Sequence, residues 1–291
     1  MPRGTQRRSN MSYKRVLTIQ DVSCVGQCSG TVALPIISAC GQECCIIPSA
    51  VLSTHTGGFT GYTFADLSEE LPKIREHWVK EGIAFDCVYT GYLGSPSQVE
   101  YVLDIMDTCL KPGGLRIVDP AMGDNGKLYP GFGDEYVRAM AELCGSADII
   151  LPNVTEASYL TGVEYKEEYD QNYIMQLLMA LSELGSKCII MTGVSYRPGY
   201  TGVVIFEDGF YAYYEHERIG QSFHGTGDVY SSAFVGALMR DVGATNAACV
   251  AADFVVDSIK ATVDDKDHWY GVKFETQIAN LVKTLEQADI D

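Results

Sequence analysis

The sequence predicts an α/β protein with one mostly parallel central sheet, helices on both faces and an antiparallel hairpin at one edge. Three observations predict it. Short apolar runs alternate with helical stretches at the spacing of βαβ units, which build a parallel sheet covered on both sides. With 291 residues, 46% of them hydrophobic, the chain can bury a large core and still lie within the range of one α/β unit. Asp208-Gly209, flanked by the runs 201–207 and 210–214, is a strong two-residue hairpin signal.

The elements follow in order. A first strand over 15–20 runs into the polar loop 21–29, then come a helix over 31–40 and a second strand over 44–51. Residues 52–62, rich in Gly, Thr and His, read as an exposed loop. Helical periodicity over 66–81 is closed by Gly82, and a strand over 85–90 precedes a helix over 97–110. The strand 115–118 runs straight into Asp119-Pro120, 147–151 likewise into Pro152-Asn153, and 187–191 ends at Thr192-Gly193. Beyond the hairpin the chain is helical over 229–240, 245–263 and 274–287. No repeat, low-complexity stretch or linker divides residues 14–291, which read as a single domain. Arg3, Arg7, Arg8, Lys14 and Arg15 have no acidic companion in the first 20 positions, so residues 1–13 read as a disordered basic tail, with Met11 as an internal start. That tail lacks the apolar core of a secretory signal.

A net charge of −17 argues against nucleic-acid and anionic-membrane partners, and no stretch approaches a transmembrane span. A small phosphorylated ligand is not excluded, because a local nest and a metal ion can hold one. The ten cysteines form no Cys-x-x-Cys pair. Cys24 and Cys28 stand apart, Cys44 and Cys45 are adjacent, and Cys87, Cys109, Cys144, Cys188 and Cys249 sit singly in apolar segments. These are expected to be reduced thiols acting as small hydrophobes in a cytoplasmic protein.

The most informative run is Ser222-Phe223-His224-Gly225-Thr226-Gly227-Asp228, which leads into a helix rich in small residues. Glycines on either side of a threonine let backbone N–H groups converge into an anion-binding nest at a helix N-terminus. A bound anion would repel the Asp228 carboxylate at that mouth, so one reading makes Asp228 a base that deprotonates an attacking hydroxyl. The competing reading is a plain helix N-cap. Ligands of open parallel sheets bind beyond the carboxyl ends of the strands. Those ends carry Asp21, Thr90-Gly91-Tyr92, Asp119, Asn153 with Glu156, and Thr192-Gly193. Asn153 and Glu156 suit an oxygen shell for Mg²⁺, or else a capping arrangement with Thr155. Asp119 and Asp124 add two carboxylates near the same point.

Asp119-Pro120-Ala121-Met122-Gly123, Asn153-x-x-Glu156 and His224-Gly225-Thr226-Gly227-Asp228 stand in the order seen in ribokinase-superfamily small-molecule kinases, which the chain resembles over about residues 14–288. Thr90-Gly91-Tyr92-Leu93-Gly94 and Leu52-Ser53-Thr54-His55-Thr56-Gly57 look like the pyridoxal/pyridoxamine (vitamin B6) kinase branch. The resemblance implies a ribokinase-like three-layer α/β/α fold and ATP-dependent phosphorylation of the 5′-hydroxymethyl group of a B6 vitamer. It implies that Asp228 is the general base, with Gly225, Thr226 and Gly227 as the anion hole. Asn153 and Glu156 would organise Mg²⁺ and the triphosphate with Asp119 nearby, and Thr192 and Gly193 would lie under the nucleotide. Asp21, Thr56 and Tyr92 would hold the pyridine ring. Mg²⁺ with ATP is the implied cofactor, a K⁺ requirement stays open, and a homodimer is implied. The chain departs from the B6 pattern at Asp21-Val22-Ser23, where many of these kinases carry Ser-His. A carboxylate there accepts from a protonated ring nitrogen or an amine more strongly than a serine does.

Other residues are read more plainly. His55 is placed with Asp21, Thr56 and Tyr92 among the acceptor-binding residues, in the role of a hydrogen-bonded support of the loop; His224 is incidental, and His77, His216 and His268 face solvent. Tyr211, Tyr213 and Tyr214 alternate as a packed strand face, while Tyr129 and Phe132 follow the Asp124-Asn125-Gly126 turn in a loop that could cover the nucleotide. The runner-up function is a hydroxymethylpyrimidine (phosphate) kinase of thiamine synthesis. A ribokinase-like sugar kinase fits less well with a single short hairpin, and a catalytically idle regulator fits poorly with an intact nest and base.

Overall fold

The computed structural model describes residues 13–220 and 223–288. The basic tail, apart from Tyr13, and Ser222 of the nest motif lie outside the described residues. The strands are β1 (Arg15–Ser23), β2 (Glu43–Leu52), β3 (Phe64–Asp66), β4 (Phe85–Thr90), β5 (Leu110–Val118), β6 (Gly123–Asp124), β7 (Lys127–Leu128), β8 (Ile149–Ile150), β9 (Cys188–Val194), β10 (Tyr200–Glu207) and β11 (Phe210–Glu217). Nine of them form one sheet in the order β11-β10-β9-β8-β5-β4-β1-β2-β3, and β6 pairs with β7 in a separate ribbon. The six strands from β9 to β2 are parallel, and the sheet turns antiparallel at both edges. Only the β10–β11 edge is expected from sequence.

The helices are α1 (Gly30–Ala39), α2 (Leu71–Glu81), α3 (Pro96–Cys109), α4 (Asp134–Gly145), α5 (Val154–Thr161), α6 (Gln171–Leu184), α7 (Thr226–Leu238), α8 (Ala244–Lys260) and α9 (Ile278–Ala288). One apolar core lies between the sheet and α1, α7, α8 and α9. The other lies under α2 to α6, so the three layers of the expected α/β/α fold are present. Buried cysteines sit in both cores, Cys87 and Cys188 in one and Cys109 and Cys144 in the other, whereas Cys249 is half-buried. The small residues of α7 serve its approach to α1 as well as the sheet: a Cβ on Gly236 would stand 2.8 Å from Cys40 Cβ.

Two turns match their sequence signals closely. Asp208-Gly209 and Asn125-Gly126 both have positive φ at both central residues, as a two-residue hairpin of type I′ requires. Elsewhere the boundaries differ for local reasons. The helix expected from residue 66 begins at Leu71, because the Asp66 carboxylate accepts from the Ser68 backbone N–H (2.9 Å) and hydroxyl (2.6 Å). That side-chain turn competes with helix initiation and leaves Phe64–Asp66 free to pair with β2. Conversely α7 starts at Thr226, three residues before the expected start.

Between β1 and β4 the strand order reverses, since β2 lies on one side of β1 and all later parallel strands on the other. The carboxyl end of β1 is therefore a topological switch point, where an open α/β sheet forms its ligand crevice.

Candidate active site

The site begins at the N-terminus of α7. Gly225 is the N-cap, left-handed at φ 76°, and a side chain there would collide with the Gln27 carbonyl of the β1–α1 loop. Asp228 therefore stands in the first helical turn and caps nothing, which removes the plain N-cap reading. Among the described residues the amide N–H groups of Thr226, Gly227 and Asp228 have no acceptor, and a Cβ on Gly227 would meet nothing within 4 Å. Free N–H groups at the positive end of a helix are what an anion takes.

The Asp228 carboxyl is pushed up to about 8, first by burial and then by the charge of Asp119. The Ser29 backbone N–H and the Cys28 thiol oppose that rise. Ser29 is unusual for a non-glycine residue in holding a left-handed φ of 53°. Its backbone turns toward Asp228 while its hydroxyl turns to Asp21. The thiol of half-buried Cys28, beside Asp228, is raised far above its ordinary value by desolvation and then by that negative neighbour. Neither contact is legible in sequence, because the two loops are about two hundred residues apart.

Asp119 follows β5 and accepts a hydrogen bond from the Ser231 hydroxyl of α7 at 2.7 Å. Its charge acts on both Glu156 and Asp228, so it is the link that gathers the acids. Burial raises both Asp119 and Glu156, and Asp119 raises Glu156 further. Ser231 is one helical turn after Asp228, a spacing that would have revealed it had the helix start been placed correctly.

Asn153 and Glu156 form a complete capping box at the start of α5. Asn153 Oδ1 accepts from the Glu156 N–H, and Glu156 Oε2 accepts from the Asn153 N–H, each at 2.9 Å. Glu156 Oε1 also accepts from the Met122 N–H (3.1 Å), and Asn153 Nδ2 donates to the Gly123 carbonyl (2.9 Å). The Asn153 amide is thus occupied at both ends. It positions Glu156 and the β6–β7 ribbon, where the sequence expectation had it facing the crevice. Thr155 joins the same network by accepting from the Gly126 N–H at 2.9 Å.

Among the described residues no three His, Cys, Asp or Glu side chains are gathered tightly enough to hold a metal alone. None of Asp119, Glu156 and Asp228 has an ion pair among the described residues. Asp119 and Glu156, buried, raised in pKa and without counter-charge, fit Mg²⁺, which binds one or two carboxylates and completes its shell with phosphate oxygens and water. Asp124 is turned instead to Asn125 within the hairpin. Thr192 lies beside Asn153 in a parallel bridge, and Gly193, at φ 71°, leaves open space beside it.

On the acceptor side, Asp21 is buried and accepts from the Ser23 hydroxyl at 3.0 Å. Burial raises its carboxyl above the usual range, against the hydrogen bonds of Ser29 and Ser23. Tyr92 is half-buried, with its phenol raised by burial and by the charge of Asp21. Thr56 is exposed on the β2–β3 loop. His55 is buried and satisfied internally: Nε2 donates to the Tyr270 carbonyl at 2.7 Å, and Nδ1 accepts from the Gly57 N–H at 3.0 Å. It supports the loop, as its position suggested, and has no ring nitrogen left for a substrate.

Several plainer expectations are corrected. His224 packs its ring against Gly57, which has no room there for a side chain. His268 is half-buried with its ring 4.5 Å from Tyr270. Phe132 stacks on Tyr136 at 3.8 Å and stands 5.6 Å from Tyr92, which places it on the acceptor side. The Tyr129 phenol is raised by burial and then by the charges of Glu156, Asp124, Asp228 and Asp119. Tyr211 and Tyr213 pack on one face of β11 and Tyr214 on the other, as strand alternation predicts.

Sheet, switch point and acids together narrow the class to ribokinase-like small-molecule kinases. The chain belongs to the phosphomethylpyrimidine kinase family, which it matches over residues 34–272. It is similar to a provisionally assigned phosphomethylpyrimidine kinase of Bacteroides thetaiotaomicron, crystallised with pyridoxal, at 36% identity and a TM-score of 0.87 over 93% of this chain and 96% of that one. It is also similar to the pyridoxal kinase of Lactobacillus plantarum, at 31% identity and a TM-score of 0.87 over 95% and 99% of the two chains. The pyridoxal kinase of Dictyostelium discoideum is 24% identical over 95% of this chain and 97% of its own length. No helix among the described residues is long and apolar enough to cross a membrane.

Proposed function

We propose that this kinase transfers the γ-phosphoryl group of ATP to the 5′-hydroxymethyl group of a vitamin B6 compound: pyridoxal, pyridoxamine or pyridoxine. The observation that carries the proposal is the first turn of α7, where free amides and the uncapped acid Asp228 stand side by side. A similar protein crystallised with pyridoxal supports the choice of acceptor. Phosphoryl transfer needs positioning and charge neutralisation more than covalent help. In this reading Asp228 takes the proton of the acceptor hydroxyl as its oxygen attacks, and the amides of Thr226, Gly227 and Asp228 receive the charge of the migrating group. Asp21 and Tyr92 orient the ring, Asp21 as acceptor for a protonated nitrogen. Asp119 and Glu156 would hold Mg²⁺, which neutralises the triphosphate when bound. A homodimer is part of the same proposal.

The family name and the provisional assignment of the Bacteroides protein favour one second reading, a hydroxymethylpyrimidine (phosphate) kinase with the same base and nest. Coupled ADP release with pyridoxal, pyridoxamine, pyridoxine and hydroxymethylpyrimidine separates the two. The B6 proposal expects the highest kcat/KM with a pyridine, and preference for the pyrimidine overturns it.

A further inference from the structure

The β2–β3 loop carries Thr56 and is gripped from behind by a segment distant in sequence, His268-Trp269-Tyr270-Gly271, between α8 and α9. The grip has three parts. The Tyr270 carbonyl takes the Nε2 proton of His55, which leaves Nδ1 as the acceptor for the Gly57 N–H and so fixes one neutral tautomer. The Trp269 indole lies 4.7 Å from the Phe59 ring, and a Cβ on Gly58 would stand 2.7 Å from Trp269 Cζ3, so the loop backbone rests directly on the indole. Next to it Gly57 rests against His224, the residue before Gly225 of the nest. Two consecutive glycines of the loop backbone therefore touch Trp269 and the chain entering the phosphate site.

Resting on the kinase reading above, we propose that Trp269 and Tyr270 form a latch that sets how tightly the alcohol acceptor is held. They are positioning residues: they hold His55 and the Gly57–Gly58 backbone, and through these the face of the loop that meets the acceptor. Among the described residues no hydrogen bond or ring contact joins either of them to the acids or the amides that handle phosphate. Loosening the latch therefore raises the KM for the acceptor and leaves the KM for ATP and the saturated kcat in place. Trp269 is 44% exposed, so truncating it leaves both cores intact.

The test is steady-state ADP release by the full chain with Trp269→Ala, Phe59→Ala and Trp269→Phe. Loss of an aromatic contact of this kind is expected to raise the acceptor KM about three- to tenfold in both alanine variants, with the ATP KM and kcat within about twofold of wild type. Trp269→Phe keeps a ring on the glycine backbone and restores the acceptor KM. A second readout needs no turnover. The chain has 2 tryptophans, so with Trp78→Phe the emission of Trp269 reports the latch alone, and it shifts on adding pyridoxal but not on adding ATP. An unchanged acceptor KM, equal rises for acceptor and ATP, failure of phenylalanine to restore, or an emission that follows ATP only would each overturn the latch. If wild type phosphorylates none of the four acceptors, the proposed function falls and the latch falls with it; if wild type turns over and only the variants misbehave, the latch alone falls.

Discussion

Replacing Asp228 by Asn keeps the size of the side chain and removes its capacity to take a proton. General-base catalysis contributes about 10²–10⁴-fold, so kcat should fall by that factor, about 2.7–5.4 kcal/mol of lost transition-state stabilisation. The free amides of the nest are backbone groups and survive the change, so the KM for ATP should move little. The pH dependence is a sharper signature. With its carboxyl at about 8, Asp228 is only about one-tenth ionised at pH 7 in the free protein, so kcat/KM should climb about tenfold from pH 7 to a plateau above pH ~9. Asparagine should abolish that limb. Stability runs the opposite way. The folded protein holds this proton more tightly than the unfolded chain, whose carboxyl titrates near 3.8. The contribution is therefore full below pH ~4 and is withdrawn as pH rises through about 8, at no more than about 1.4 kcal/mol per pH unit. The gain in Tm of Asp228→Asn over wild type should accordingly grow between pH 5 and 8. Coupled ADP release against pH, with calorimetry on the same samples, measures all three. A kcat within a few-fold of wild type, or a basic limb that persists in the asparagine variant, removes Asp228 from the role of base.

Asn153→Ala breaks the capping box and should cost about 0.5–2 kcal/mol, lowering Tm by about 2–4 °C per kcal/mol; an unchanged Tm would show that Glu156 holds α5 without it. Gly225→Ala forces a side chain into the Gln27 carbonyl and should abolish ADP release even where circular dichroism stays native; retained activity would mean the nest is not where phosphate is held. Asp21→Asn should lower kcat/KM for pyridoxamine and pyridoxine more than for pyridoxal, and equal losses for all three would deny Asp21 any part in choosing the vitamer.

Legibility in the sequence followed contiguity. Gly225–Asp228 and Asn153–Glu156 are short continuous words, so both the nest and the two readings of the capping box could be stated, and the structure shows the box itself. The strand ends were legible because each apolar run stops at a polar residue. Strand β3 was not, since three exposed residues carry no usable period and the Asp66 turn mimics a helix start. What brings Cys28 and Ser29 to Asp228, and Trp269 to Phe59, is tertiary packing between distant loops, which periodicity does not record. Ser231 was hidden by a helix expected three residues too late, which left Asp228 outside the helix and so concealed the turn that Ser231, the donor to Asp119, shares with it.

The two borders of the large sheet have a bearing on how copies of the chain can meet. One border is β3, only three residues long, too short to template another strand. At the other, β11 ends in Glu215-His216-Glu217, where Glu215 is held by Arg197, so that edge carries charged side chains of the kind that discourage strand addition. Sheet continuation from molecule to molecule is thus discouraged on both flanks. Self-association is thereby steered toward helices and loops, and fibrillar stacking is disfavoured by the same short and charged margins.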